Sequence, residues 1–129
     1  MKRVILGTVL SVCAGTVLSQ PLSDKYPTGI DYAESYDVRH CSMVAHQANY
    51  TMKLRLFYGE SQTKALGAVR REIDWSAESG DTLAAKNGLI TVRLVDEAFR
   101  KPIPDNDEAK SQLVNEFESS VMKKCLGQL

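Results

Sequence analysis

The side chains that most often carry chemistry are few in this sequence, and their spacing works against a reaction. His40 and His46 are its two histidines. Six residues apart, they diverge by about 240° around a helix, so they cannot share a metal as an i,i+4 pair does. His40 beside Cys41 suggests a Cys–His nucleophile, but adjacent helical residues point apart. A cysteine held in a disulfide also cannot attack. Both histidines read as surface or cap residues. Asp74 and Glu78 stand at i,i+4 spacing with Glu72 close by. Paired carboxylates can do acid–base work, given a cleft and a raised pKa. Here Arg70 and Arg71 adjoin them, and the group reads as a solvated charged face. The chain has no Gly-rich phosphate loop, no GxSxG elbow and no metal-spaced His/Cys/Asp set. No catalytic residue, metal site or cofactor is expected.

Two further patterns have binding rather than catalytic meaning. Asn49-Tyr50-Thr51 matches the N-glycosylation sequon, but its position within a helical stretch makes it a chance match. Tyr50, Phe57, Tyr58 and Trp75 fall around the first inter-helix turn. They are expected to pack in the core or at its edge. The alternative is a partner-binding patch anchored by Tyr58 and Trp75.

Of three cysteines, Cys13 lies in an N-terminal apolar run, leaving Cys41 and Cys125. In an exported chain of this size the two most simply form one disulfide. Free buried thiols or an intermolecular bridge are the alternatives. A loop that long is worth about 4.6 kcal/mol in the chain-entropy account, before any native strain.

Export itself is read from the first residues. Lys2 and Arg3 precede an uncharged run from Val4 to Leu18, short of the roughly 20 apolar residues that span a bilayer. Val17 and Ser19 suit signal-peptidase cleavage before Gln20. Residues 1–19 are therefore expected to be a cleavable signal peptide, and the protein to be periplasmic or secreted. A short membrane anchor or a buried helix is the alternative. Leu10-Ser11-Val12-Cys13 also resembles a lipoprotein box, although Val12 is bulky for it. Only a lipid on Cys13 would attach the protein to a membrane.

Cleavage removes 19 of 129 residues and leaves 110, enough for one modest core. Lys2 and Arg3 leave too, so 14 basic residues face 16 acidic ones, a net charge of −2. No basic stripe stands out, which argues against nucleic acid as a partner.

The elements that must position these residues are helical. Residues 20–36 contain two prolines, a glycine and no sustained period, and read as an irregular N-terminal arm that Tyr26, Tyr32 and Tyr36 can pin. A helical domain, residues 37–129, follows. Asp37 can cap a first helix to about Tyr58, with Cys41, Val44, Ala48, Met52 and Leu56 on one face. Ser61 can cap a second to about Ile73, burying Leu66, Val69 and Ile73, with a looser stretch beginning at Trp75. Asp81 can cap a third, Thr82 to Arg100, burying Leu83, Ile90, Leu94 and Ala98. Its Asn87-Gly88 pair and β-branched Leu89–Val95 leave a strand as the alternative. Asp105 or Asp107 opens the last helix, to about Leu126, with Leu113, Phe117, Val121 and Cys125 as its stripe. The fold class is all-α: a small four-helix bundle closed by one disulfide. In an up-down-up-down bundle the first and last helices are antiparallel neighbours, which brings Cys41 and Cys125 together.

Several short motifs carry a resemblance. They are Cys41, Thr51-Met52 with Arg55, Gly59 before Ser61, Leu94-Val95, the string Ala98-Phe99-Arg100-Lys101-Pro102, and Phe117 ahead of Cys125. Over most of residues 41–125 the chain resembles short exported bacterial and phage-encoded helical proteins of unassigned function. Those usually have Gln after the arginine and glycine three residues after it; here Leu56 follows and Gly59 is four on. The segment around Trp75 is also longer. The resemblance implies a small, helical, disulfide-closed envelope protein and no activity. The leading functional expectation is a non-enzymatic exported protein that binds another protein, as immunity or inhibitor proteins do. A hydrolase with an unrecognised site, using Glu72, Asp74 or His46, and a carrier of a small apolar ligand are the alternatives.

Overall fold

A computed structural model describes residues 20–33 and 37–129. The expected signal peptide, residues 1–19 with Cys13, and Tyr36 lie outside the described residues. The elements are all helices: α1 (Leu22–Lys25), α2 (Val38–Leu56), α3 (Gln62–Glu78), α4 (Thr82–Arg100) and α5 (Asp107–Cys125). No strand occurs among the described residues. No helix among them is long and apolar enough to cross a membrane.

Each long helix starts at a side-chain cap. Asp37, Ser61, Asp81 and Asn106 accept hydrogen bonds from the backbone N–H groups of His40, Lys64, Ala84 and Ala109, satisfying donors that a helix start leaves open. The α5 cap is Asn106, not Asp105 or Asp107. Its extended backbone suits the cap position, while Asp107 and Glu108 lie in the first turn, where they complement the helix dipole. Trp75 does not begin a looser stretch, since α3 continues to Glu78.

The strand alternative for Leu89–Val95 fails for a physical reason: the segment lies inside α4, and α4 is covered on two sides. Ile90, Leu94 and Ala98 join Val44, Ala48 and Met52 of α2 and Val114, Phe117 and Val121 of α5 in the main core. Leu89 and Val92 join Ile73 of α3 in a second core, against which Leu22, Tyr26, Leu66 and Val69 pack. A helix buried this widely reads as a continuous apolar run.

The packing departs from the expected up-down-up-down bundle. α3 packs on α4, α4 on α2, and α2 on α5, whereas the consecutive helices α2 and α3 scarcely touch. α2 and α5 are antiparallel, as the Cys41–Cys125 bond requires. α2 and α4 end side by side, because the Arg55 guanidinium donates to the carbonyls of Ala98 and Lys101 and lies over the Phe99 ring. The Ala98 carbonyl also accepts from the N–H of Lys101, so Arg55 closes the end of α4 together with the cap residue. Leu83, expected on the buried stripe, is 66% exposed. The α4 stripe that meets α2 starts at Ile90, and Leu83 projects two turns before it.

The arm is more ordered than expected. It contains the α1 turn, and contacts along its length hold it, among them a hydrogen bond from the Arg70 guanidinium to the Pro27 carbonyl at 3.2 Å. Ser23 donates its backbone N–H and its hydroxyl to the two carboxylate oxygens of Asp74, at 3.1 and 2.6 Å. The N–H of Ile30 donates to the carbonyl of Leu89, at 3.1 Å. Tyr32 is buried in the main core, and its hydroxyl donates to Glu97 at 2.6 Å. Between them Gly29 has φ +74°, and a Cβ there would lie 2.2 Å from the Leu89 carbonyl oxygen. Only glycine lets the arm run this close to the α4 backbone.

Candidate functional site

Most residues singled out from the sequence are structural. Cys41 and Cys125 are bonded to each other (S–S 2.07 Å, Cα–Cα 5.5 Å) and fully buried. Asp74, the centre of the acidic cluster, is occupied by Ser23. His46 is exposed, and His40 contributes its backbone N–H to the Asp37 cap. The sequon is closed off: the Asn49 amide donates to Glu118, and Thr51 is buried with its hydroxyl on the Gln47 carbonyl. Among the described residues no three His, Cys, Asp or Glu side chains converge as metal ligands do.

The aromatic side chains do not pack in the core as expected. Tyr50 and Phe57 are exposed, as are Tyr58 at 74% and Trp75 at 64%, because α2 spends Ala48, Met52 and Leu56 on its buried face. Nor do Tyr58 and Trp75 make one patch. Tyr58 follows α2 directly, beside the start of α3, whereas Trp75 lies about 20 Å further along α3 at 1.5 Å per residue. They stand near opposite ends of α3.

The most apolar of the concave features is a groove between the two helices that fail to pack. α2 supplies one wall with Met43, Val44 and Gln47; α3 supplies the other with Ala68, Val69 and Glu72. The floor is α4, through Ala84, Asn87, Gly88, Ile90 and Thr91, and the volume is about 510 Å³. Local sequence explains its depth. Ala68, Ala84 and Gly88 are too small to fill it, and Gly88 lets α3 settle onto α4, since a Cβ there would lie 2.4 Å from Cγ1 of Ile73. The Asn87-Gly88 pair is thus a close helix contact and not a hairpin turn. Two exposed apolar residues outside the lining lie on the helix faces that form it. Trp75, three residues after Glu72 and seven after Ala68, shares their helix face, and Leu83, four residues before Asn87 and seven before Ile90, shares theirs.

The polar groups of the groove are sparse. Glu72 is its one charged residue, and it has neither a side-chain hydrogen bond nor an ion pair among the described residues. Asn87 Oδ1 is buried without a hydrogen-bond partner. The Thr91 hydroxyl is turned back onto the Asn87 carbonyl, at 3.0 Å. Among the described residues, no histidine, second carboxylate or cysteine lines the groove. What this lining offers is apolar contact.

Sequence reasoning missed this site because its apolar lining is plain: two alanines, a glycine, two valines, an isoleucine and a methionine. The available signal was Met43, an apolar residue off the buried stripe of α2, together with small residues on the facing turns of α3 and α4. A last polar cluster lies elsewhere and pins the arm: Lys124 sits 3.5 Å from Glu97 and 3.6 Å from Asp31, and 4.9 Å from the Tyr32 ring centre. Comparison with protein-family models, curated proteins and solved structures finds no match.

Proposed function

We propose that the chain is exported through residues 1–19 and that its mature domain, in the periplasm or outside the cell, works by binding another protein in the α2/α3/α4 groove, as small immunity or inhibitor proteins do. The observation that carries this reading is the groove itself, an apolar trough with exposed Met43, Trp75 and Leu83 at or beside it and no paired catalytic groups. Exposed apolar surface that is continuous with a cleft marks interaction sites, and buried aromatic anchors carry much of the energy of such contacts. The buried disulfide and the uncharged N-terminal run support export.

A second reading is supported by volume: about 510 Å³ falls within the range of small-molecule sites, so a carrier of a small apolar ligand would fit the same trough. The protein reading is preferred because the apolar surface runs past the trough to Trp75 and Leu83.

Affinity capture from cell-envelope extract, run in parallel with wild-type mature protein and Ala68→Arg, tests the reading. The expected result is a protein held by wild type and by His46→Ala but lost from Ala68→Arg, with all three equally folded. Equal capture by Ala68→Arg would overturn it. Complete loss of biological phenotype from folded His46→Ala would promote a hydrolase instead. Export is checked by intact mass: the mature chain begins near Gln20, and a lipidated species starting at Cys13 would contradict that.

A further inference from the structure

We infer that the occupant of the groove is an amphipathic α-helix bearing a lysine or arginine that meets Glu72; this rests on the reading of the groove as a protein site. The shape argues for a helix. α2 and α3 leave an open strip along α4 from Ala84 to Thr91, about 10 Å at the helical rise of 1.5 Å per residue. That is the length over which a helix presents anchors at i, i+3 or i+4, and i+7, the usual mode of helix-in-groove recognition.

Charge argues for a basic side chain. Glu72 is the single charge of the lining and is unpaired among the described residues. A lone carboxylate at the edge of an apolar trough steers and selects cations and repels acids. The open Glu72 carboxylate therefore asks the occupant for an N–H donor, which lysine and arginine provide and acidic side chains do not.

The test is selection of helical peptides from a randomised display library on the oxidised mature protein, with counter-selection on Ala68→Arg, which fills the trough. Surviving peptides are expected to share apolar positions at i, i+3 or i+4, and i+7, with Lys or Arg on one flank, and to alter the fluorescence of Trp75, the only tryptophan. Glu72→Lys should bind each of them about three- to tenfold more weakly, the scale of a reversed rim charge, and selection on that variant should turn to Asp or Glu. Groove-dependent peptides with no basic enrichment and unchanged affinity for Glu72→Lys would overturn this inference and leave the protein-binding reading standing. Recovery solely of peptides indifferent to Ala68→Arg would overturn both. Self-association of the protein that Ala68→Arg abolishes would assign the groove to a second copy and overturn the inference as well.

Discussion

At Gly88 a missing side chain decides how closely two helices approach. Gly→Ala inside a helix ordinarily gains about 1 kcal/mol. Here the new Cβ would meet Ile73 Cγ1 at 2.4 Å, and Ile73 is fully buried and β-branched, with no flexible end to move aside. Overpacking of this kind costs about 1–3 kcal/mol, so Gly88→Ala should lower stability by about 1 kcal/mol net. Gly67→Ala in α3, with nothing within 4 Å, should raise it by up to about 1 kcal/mol. Urea melts of the two variants check both signs. Tyr32 offers a test by pH. Burial first, then its hydrogen bond to Glu97, pushes the phenol well above its ordinary 10.0. A raised pKa means that this contribution is complete below pH 10 and declines as pH climbs further. Asp31 is the opposite case. Burial alone would raise its pKa, but the N–H of Ala33 with Lys124 and Arg93 outweighs it and holds it below 3.8; its contribution is present above 3.8 and lost as pH falls. The stability difference between wild type and Tyr32→Phe should therefore hold steady through neutral pH and shrink above pH 10. A constant difference would contradict this account. These roles were not legible in the sequence, because a glycine or tyrosine shows its meaning only beside the backbone it touches. The disulfide was legible, because only two cysteines lie outside the N-terminal apolar run and both fall on apolar helix faces.

Among the elements, legibility followed periodicity. α2 and α5 were readable within a few residues because their apolar faces repeat every three or four positions. α4 was ambiguous because both its sides are buried, so Leu89–Val95 carries no polar face to mark a helical period. The arm was unreadable for the opposite reason: its order comes from Asp74, Leu89 and Glu97, all more than 50 residues away in sequence. Gly29 is where that order can be broken. Gly29→Ala would need φ +74° and a Cβ 2.2 Å from the Leu89 carbonyl, so the segment Leu22–Tyr32 should undock while α2–α5 remain folded. Hydrogen exchange should then show fast exchange at the Ile30 amide in the variant and slow exchange in wild type. Unchanged protection at Ile30 would show that the arm finds another path.

At the scale of the whole molecule, the all-helical class and the antiparallel α2/α5 pairing follow from the sequence, but the packing order does not. Periodicity identifies the buried face of a helix without identifying what covers it, and α4 has two such faces. That second face draws α3 away from α2 and opens the groove, so the candidate site was hidden by the same ambiguity. The Cys41–Cys125 bond, across 84 residues, ties the start of α2 to the end of α5. Cys41→Ser should cost about 2–5 kcal/mol, measured by denaturant melts, and alkylation without reduction should label neither cysteine. The central claim, that the groove is where a partner sits, is tested most directly by photocross-linking in cells that express the protein. A photoreactive residue placed at position 68 should yield one discrete adduct with another protein. The same residue at position 111, on the exposed face of α5, should yield none. Adducts from position 111 and none from position 68 would contradict the account.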